Sequence, residues 1–222
     1  RAEIVAAAER WSKHGTIYVL ADDAYRELRY EGDDIPSTRV CDPSGETVIQ
    51  AGTFSKCFSP GVRVGWGILP KSLVAPVHNQ KGNLDFGSPN FAQHMMAQVI
   101  ADGRLEPHIA ALREGYRRKR DAMLAACRKH WEGSADVSWI APQGGLYVWL
   151  TLPESIDAGP QGRLFDLALQ AGMLYVPGQF CFPPEGQPVR RNTIRLSFGV
   201  QSAPRIAEGM QKLAQAIEQA AG

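Results

Sequence analysis

Three short and nearly continuous apolar runs constrain the fold of this chain most: residues 16–21 (TIYVLA), Val48–Ala51 and residues 62–69 (VRVGWGIL). A strand that is apolar on both faces needs cover on both sides, which is typical of parallel sheets flanked by helices. Before the first run, apolar residues recur at helical spacing from Ile4 to Trp11. This order of helix and strands indicates an α/β layer.

The character of the sequence changes near Glu106, where a long, charged, amphipathic helix is expected to run to Trp131. The elements expected after it are strands at Val137–Ile140, Leu146–Leu152 and Thr193–Phe198, and helices at Gln161–Ala171 and Pro204–Ala221. A polar, Pro-rich loop is expected at residues 182–191 (FPPEGQPVRR). We therefore divide the chain into an α/β domain at residues 1–108 and an α+β domain at residues 109–222.

The charge balance of the chain excludes several classes of partner. Its 222 residues contain 24 Lys and Arg against 23 Asp and Glu, so no global field attracts nucleic acid or an anionic membrane.

No apolar run approaches the roughly 20 residues that span a bilayer. The four cysteines show no CxxC spacing and the five histidines no ligand spacing. We expect a cytoplasmic protein without a metal site, a nucleic-acid partner or a membrane partner.

The segment Ala51–Trp66 (AGTFSKCFSPGVRVGW) places a lysine just beyond the carboxyl end of a strand, which is where α/β sheets bind ligands. Lys56 in that position is suited to form a Schiff base with an aldehyde, provided that its pKa is lowered. Arg63 has the rigid fork of donors that binds phosphate. Thr53 and Ser55 add hydroxyl groups. Taken singly, these residues are equally consistent with a solvated loop.

A second polar segment, residues 22–25 (DDAY), follows the first apolar run. A carboxylate at the end of a buried strand is partly desolvated, and it then needs a cationic partner to remain ionised. A protonated pyridine nitrogen is such a partner. A turn or a helix N-cap is the ordinary alternative for an acid in this position.

Taken together and in order, the segments resemble the class I/II aminotransferases, which are pyridoxal-phosphate enzymes of fold type I. The matches cover essentially the whole chain: D-x-x-Y at Asp22 and Tyr25, S-x-S-K-x-x-x-P-G-x-R-x-G-[WY] at residues 53–66, P-x-G-G-[MF]-[FY]-x-W at residues 142–149, V-P-G at residues 176–178, and the arginine segment NTIRLSF at residues 192–198. The resemblance implies the C-terminal part of a large domain with a mostly parallel sheet, followed by an α+β small domain.

The resemblance also implies the roles of three catalytic residues. Lys56 would bind the aldehyde of pyridoxal 5'-phosphate as a Schiff base and later move the substrate Cα proton. Asp22 would pair with the pyridinium nitrogen, which keeps the cofactor an effective electron sink. Tyr25 would donate a hydrogen bond to the phenolic oxygen of the cofactor.

Four further residues receive binding roles from the same resemblance. Thr53, Ser55 and Arg63 would hold the cofactor phosphate. Thr53 stands where the family motif has serine, a mild departure because the hydroxyl is kept. Arg195 would bind the substrate α-carboxylate through two parallel hydrogen bonds.

The implied activity is ping-pong transfer of an amino group between an L-amino acid and a 2-oxo acid by a homodimer. Residues 22–30 (DDAYRELRY) and 142–152 (PQGGLYVWLTL) look most like the 2-aminoadipate and kynurenine aminotransferase group. Two alternatives stay open: the aminotransferase-like domain of a winged-helix transcription regulator, and a pyridoxal-phosphate lyase or synthase on the same fold. Tyr25 and the Pro60–Gly61 pair favour the aminotransferase.

The chain begins at Arg1, inside a helical pattern, and the family resemblance begins partway through the large domain. We therefore expect a C-terminal fragment. The phosphate-binding helix, the aromatic residue that stacks on the pyridine ring and the asparagine beside the phenolic oxygen would then lie upstream. On this expectation, residues 1–222 alone would bind the cofactor weakly and would not be a working enzyme.

Overall fold

A computed structural model describes residues 1–185 and 188–222 of the chain. These residues form two compact units, Arg1–Leu112 and Arg113–Gly222. None of the helices in the described part of the chain combines the length and the apolar character needed to cross a membrane.

The first unit is built around a three-stranded sheet. Its helices and strands, in chain order, are α1 (Ala2–Trp11), β1 (Val19–Asp22), β2 (Val48–Thr53), β3 (Gly65–Ile68), α2 (Lys71–Asp85) and α3 (Asn90–Ala101). Short 3₁₀ turns lie at Thr38–Cys41 and Pro60–Val62. The long helix α4 (Leu105–Trp131) begins in this unit and ends in the second. Each of the three apolar runs therefore forms a strand as predicted, although β1 extends one residue and β2 two residues beyond its run.

The sheet of the first unit has the order β1-β2-β3, with one parallel and one antiparallel pairing. β1 and β2 run parallel, with Asp22 opposite Ala51, whereas β3 returns antiparallel to β2. The reversal occurs at the 3₁₀ turn, where the Ser59 side chain accepts the Gly61 N–H and Arg63 adopts the left-handed backbone conformation (φ 54°). The last apolar run thus forms a shorter strand than predicted, and it runs in the opposite direction.

Burial in this sheet differs from the expectation of cover on both faces. Val48 of the central strand is fully buried, whereas Leu20 of β1 is 67% exposed and Trp66 and Ile68 of β3 are each 43% exposed. In this sheet β1 and β3 are edge strands, so each has a neighbouring strand on one side only. The indole ring of Trp66 lies against Gly52 of β2 so closely that a Cβ atom at Gly52 would overlap the ring.

A buried carboxylate fixes the turn that leads into β2. Asp42 is 4% exposed and accepts hydrogen bonds from the Thr47 N–H (2.9 Å) and the Val48 N–H (2.7 Å) on one oxygen. The other oxygen accepts the Gly45 N–H (2.9 Å) and the Ser44 hydroxyl (2.8 Å). Burial raises the pKa of Asp42, but these four hydrogen bonds outweigh it and hold the pKa at about 2.

Substitution of Asp42 by Asn is expected to lower the free energy of unfolding of the full-length protein by about 1–3 kcal/mol, because in either orientation the NH₂ group would face at least one backbone N–H donor. The native carboxylate has a depressed pKa, so its stabilisation is complete above its ordinary pKa of about 4 and is lost as the pH falls towards 2. Urea titrations across this range should show a smaller loss of stability in the variant. Asp33→Asn, at an exposed position, is the control. Equal stability of Asp42→Asn and the parent at neutral pH would contradict this role.

The second unit contains a four-stranded antiparallel sheet of order β4-β5-β7-β6 and two further helices. Its elements are β4 (Ser138–Ile140), β5 (Tyr147–Thr151), α5 (Arg163–Gln170), β6 (Val176–Pro177), β7 (Thr193–Ser197) and α6 (Ala203–Ala221). These bounds confirm the predicted strands and helices to within two residues. The predicted polar loop at residues 182–191 contains no helix or strand where it is described, and residues 186–187 lie outside the described residues.

Arg120 of α4 is buried, although the sequence presents this helix as a charged one. Its side chain is 3% exposed, and its guanidinium donates to the Pro142 carbonyl (3.1 Å) and to Asp121 Oδ1 (2.6 Å). Arg120 therefore ties α4 to the segment that leads into β5.

Candidate active site

Two polar segments of the first unit begin where neighbouring parallel strands end. Asp22 is the last residue of β1 and Thr53 is the last residue of β2. The Asp23 N–H donates to the Ala51 carbonyl (2.9 Å), which extends the pairing beyond β1. The segments that carry Tyr25 and Lys56 therefore leave the sheet at the same edge, which is where α/β sheets place ligands.

The two adjacent aspartates have different surroundings. Asp23 Oδ2 accepts hydrogen bonds from Gln50 Nε2 (2.6 Å) and from the Ser37 hydroxyl (3.4 Å), so this carboxylate anchors its segment. Asp22 Oδ1 accepts the Ala24 N–H (3.1 Å), and among the described residues the carboxylate has no other hydrogen bond and no ion pair. Asp22 is exposed, contrary to the expected partial desolvation.

The loop after β2 turns tightly and orients two adjacent side chains differently. The Phe58 N–H (2.8 Å) and the Ser59 N–H (3.0 Å) both donate to the Phe54 carbonyl. Cys57 is 5% exposed, and its thiol lies 3.5 Å from the Thr53 carbonyl. Burial, assisted by Glu27 and Glu106, raises the pKa of this thiol, so Cys57 is a packing residue.

Lys56 is partly buried and lies beside the segment that follows β1. Its Nζ is 5.5 Å from the centroid of the Tyr25 ring, within the range of a cation–π contact. Among the described residues no carboxylate pairs with this amine. The structure thus brings together Lys56 and Tyr25, which lie far apart in sequence.

The hydroxyl groups next to Lys56 form a compact cluster. Thr53 Oγ1 accepts the Ser55 N–H (3.0 Å) and lies 3.0 Å from the Ser55 hydroxyl and 3.3 Å from the Val64 carbonyl. Thr53 is also paired with Gly65, two residues after Arg63.

Arg63 is exposed, and its guanidinium donates to the Pro60 carbonyl (3.2 Å). Its left-handed backbone costs a non-glycine residue roughly 1–2 kcal/mol. Such strain is often retained where a side chain must be aimed at a ligand. Among the described residues, the Pro60 carbonyl is its sole hydrogen-bond acceptor, so most of its donors are available to an anion.

A cavity of about 270 Å³ lies behind these segments. Its lining includes Asp23, Thr53, Cys57 and Ile109, but among the described residues neither Asp22 nor Lys56 lines it. The cavity therefore shares Thr53 with the candidate site, whereas Asp22 and Lys56 lie at the exposed end of the strands.

Arg195 lies in the second unit, in the middle of β7, opposite Trp149 of β5 and Val176 of β6. Its guanidinium carbon is 4.5 Å from the centroid of the Tyr147 ring. Its Nε atom is enclosed and has no hydrogen-bond partner among the described residues. A buried N–H without an acceptor costs about 1–3 kcal/mol, and a carboxylate oxygen would recover that cost.

The residues of the first unit fit a ligand that carries an aldehyde, a cationic ring nitrogen and a phosphate. Lys56 supplies an amine and Arg63 a guanidinium with available donors. Asp22 supplies a carboxylate that has no cationic partner within residues 1–185 and 188–222. Pyridoxal phosphate contains these three groups. The profile of the family described as aminotransferase class I and II matches residues 1–213.

The chain belongs to the class I and II aminotransferases. This membership confirms the family and the fold predicted from the sequence. Aromatic-amino-acid aminotransferase 1 of Thermococcus litoralis is 34% identical over 201 residues, which are 90% of the chain and 46% of that protein. An uncharacterised HTH-type transcriptional regulator of Bacillus subtilis is 30% identical over 223 residues, covering 100% of the chain and 43% of the regulator.

Among solved structures, the α-aminoadipate aminotransferase LysN of Thermus thermophilus superposes with a TM-score of 0.86 at 29% identity. The similarity covers 99% of the chain and 54% of LysN, which is complexed with N-(5'-phosphopyridoxyl)-L-leucine. The chain thus spans about half the length of the relatives it matches. LysN belongs to the group that residues 22–30 and 142–152 most resemble.

Sequence reasoning placed Tyr147 only within a family motif and assigned it no role. Strand alternation does predict that Tyr147 and Trp149 share one face of β5. The contact of Tyr147 with Arg195 also depends on the register between β5 and β7, which places Arg195 on the same face of the neighbouring strand. The distinct role of Asp23 was also missed, because Gln50 and Ser37 are distant in sequence.

Proposed function

We propose that the protein is a pyridoxal-phosphate-dependent aminotransferase that moves an amino group between an L-amino acid and a 2-oxo acid. The observation that carries this proposal is the position of the Lys56 amine, whose Nζ lies 5.5 Å from the centroid of the Tyr25 ring. Tyr25 follows the carboxyl end of β1, where Asp22 is the last residue. Family membership supports it.

Three residues would act on the reacting end of the cofactor. Lys56 would bind the aldehyde carbon through Nζ, and the Asp22 carboxylate would accept a hydrogen bond from the ring nitrogen. Tyr25 would donate its hydroxyl hydrogen to the phenolic oxygen. When bound, the cofactor supplies an electron sink for the substrate Cα. Once the substrate amine has displaced Lys56 from the aldehyde carbon, the freed Nζ would move the Cα proton as general base and acid.

The opposite end of the cofactor carries the phosphate. Thr53 and Ser55 would hold it with their clustered hydroxyls, and Arg63 would hold it with the donors that Pro60 does not use. Charge-assisted hydrogen bonds of this type are about twice as strong as neutral ones.

The test of the activity is product analysis with the full-length protein, expressed from its complete coding sequence and supplied with pyridoxal phosphate. Incubation with an L-amino acid and a 2-oxo acid should yield the exchanged pair. Incubation with the amino acid alone should yield a single turnover of 2-oxo acid, as ping-pong kinetics require. Release of ammonia or carbon dioxide without amino transfer would refute the proposal and favour a lyase.

Arg195→Lys is expected to raise the KM of every amino donor by about 10- to 100-fold, because lysine loses one of two parallel charge-assisted hydrogen bonds. Initial rates with several L-amino acids measure the effect. The control is Arg191→Lys, since Arg191 is 65% exposed and pairs with Asp157 at the surface. KM values that stay at the parent level for all donors would remove Arg195 from the substrate site.

For the whole protein we propose that residues 1–108 are the C-terminal part of a cofactor-binding large domain and that residues 109–222 are the small domain. The separation into units at Leu112 and Arg113 supports this division. We further propose a homodimer in the cytoplasm.

The second candidate function is that of the aminotransferase-like domain of a transcription regulator. The HTH-type relative that matches the full chain favours it. The two candidates differ in one measurement on the full-length protein. A regulator would bind a DNA fragment from its own promoter with a salt-dependent affinity, and an aminotransferase would exchange amino groups without DNA.

A further inference from the structure

One face of the sheet in the second unit surrounds Arg195, and the other forms the core. Val148, Leu150, Ile194 and Leu196 are at most 2% exposed, so they define the core face. Alternation along the strands places Arg195 and its neighbours on the opposite face. The neighbours on that face are Tyr147, Trp149 and Val176, from three adjoining strands.

Tyr147 contacts Arg195 diagonally across the β5–β7 pair, a separation that aromatic and long side chains reach. The guanidinium carbon lies 4.5 Å from the ring centroid, well inside the 6 Å range of a cation–π interaction. A contact with the ring face uses none of the N–H donors of arginine. Tyr147 therefore restrains the guanidinium while leaving its donors available.

The Arg195 guanidinium is held in place before any ligand is bound. Among the described residues, the enclosed Nε atom has no hydrogen-bond partner. A long side chain loses rotamer entropy when it is fixed. The ring of Tyr147 fixes Arg195 before a ligand arrives, so less of this cost falls on binding.

We propose that Tyr147 is a positioning residue that holds the Arg195 guanidinium in the orientation that binds the substrate α-carboxylate. This inference rests on the substrate-binding role proposed above for Arg195. Tyr147 acts through its ring face, and it contributes to the binding of the carboxylate rather than to the movement of the Cα proton. Its removal should therefore change KM and leave kcat nearly unchanged.

The experiment measures binding of two unreactive probes to the full-length protein with cofactor. The probes are 4-methylpentanoate, which is the leucine skeleton without its amino group, and its uncharged amide. Tyr147→Leu should weaken carboxylate binding by about 5- to 30-fold, the factor that corresponds to roughly 1–2 kcal/mol of cation–π energy. Amide binding should stay within about twofold of the parent, because the amide carries no charge for the guanidinium.

Tyr147→Phe keeps the ring and should restore carboxylate binding to within about threefold of the parent. In steady-state assays the KM for an L-amino acid should rise in Tyr147→Leu with kcat held, and Tyr147→Phe should reverse this rise. If Tyr147→Leu lowers the melting temperature sharply, Tyr147→Met supplies a second ring-free variant of similar volume.

Two results would overturn the inference. One is parent-like carboxylate binding in Tyr147→Leu or Tyr147→Met. The other is equal weakening in Tyr147→Phe and Tyr147→Leu, which would assign the effect to the hydroxyl. The proposed role of Arg195 is tested separately from that of Tyr147. Parent-like carboxylate binding in Arg195→Lys would remove Arg195 from the substrate site, whatever the Tyr147 variants do.

Discussion

The Lys56→Ala variant of the full-length protein is expected to lose transamination by about 10⁴-fold or more, because one amine would both bind the cofactor and move the substrate Cα proton. Its position supports this double role. The amine lies 5.5 Å from the Tyr25 ring centroid and pairs with no carboxylate in the described chain. Alanine removes the nucleophile while the loop is retained, since the bonds that close it are made by the backbone of Phe54, Phe58 and Ser59.

Two measurements test this prediction independently. Borohydride reduction of the parent should fix a pyridoxyl group to the peptide containing Lys56, as located by mass spectrometry, and this label should be absent from Lys56→Ala. Lys71→Ala, at the exposed start of α2, is the control and should keep both label and activity. An active Lys56→Ala enzyme, or a label on another lysine of the parent, would refute the assignment.

Asp22→Asn is expected to lower kcat by about 10²- to 10⁴-fold while the cofactor stays bound. The carboxylate would keep the ring nitrogen protonated, and an amide lacks the charge to do so. Local structure should survive, because the asparagine oxygen still accepts the Ala24 N–H that Asp22 accepts at 3.1 Å. The measurements are kcat and the retention of cofactor after gel filtration.

The neighbouring residue provides a matched control. Asp23→Asn replaces a carboxylate that Gln50 and Ser37 bind, so it should lower the melting temperature. Its effect on kcat should be small beside that of Asp22→Asn. Transamination by Asp22→Asn at the parent rate would show that Asp22 does not pair with the cofactor, and a large kcat loss confined to Asp23→Asn would show that the two roles are exchanged.

The strands of this chain were predictable because their apolar runs are short and bounded by polar residues. The direction of β3 was not, because it depends on the turns between Thr53 and Gly65, in which Arg63 adopts a left-handed conformation. Helices α2 and α3 were also missed. No residue of α2 is buried and Pro76 interrupts its pattern, so the sequence lacks the apolar stripe that identifies a helix.

The candidate site was predictable as a set of residues but not as an arrangement. The family motifs named Lys56, Asp22 and Arg195, yet the contacts that define their surroundings join residues distant in sequence. The Lys56–Tyr25 contact depends on the parallel register of β1 and β2, and the Tyr147–Arg195 contact depends on the register of β5 and β7. Neither register is fixed by the apolar pattern of a single strand.

The contact between Gly52 and Trp66 limits how this part of the protein is able to evolve. Any side chain at residue 52 would overlap the indole ring, and residue 52 immediately precedes the last residue of β2. A larger residue at this position therefore requires that the Trp66 ring shift or that Trp66 be exchanged for a smaller side chain. The two positions are epistatic, so the order in which substitutions arise decides which remodelled versions of the Lys56 loop selection can reach.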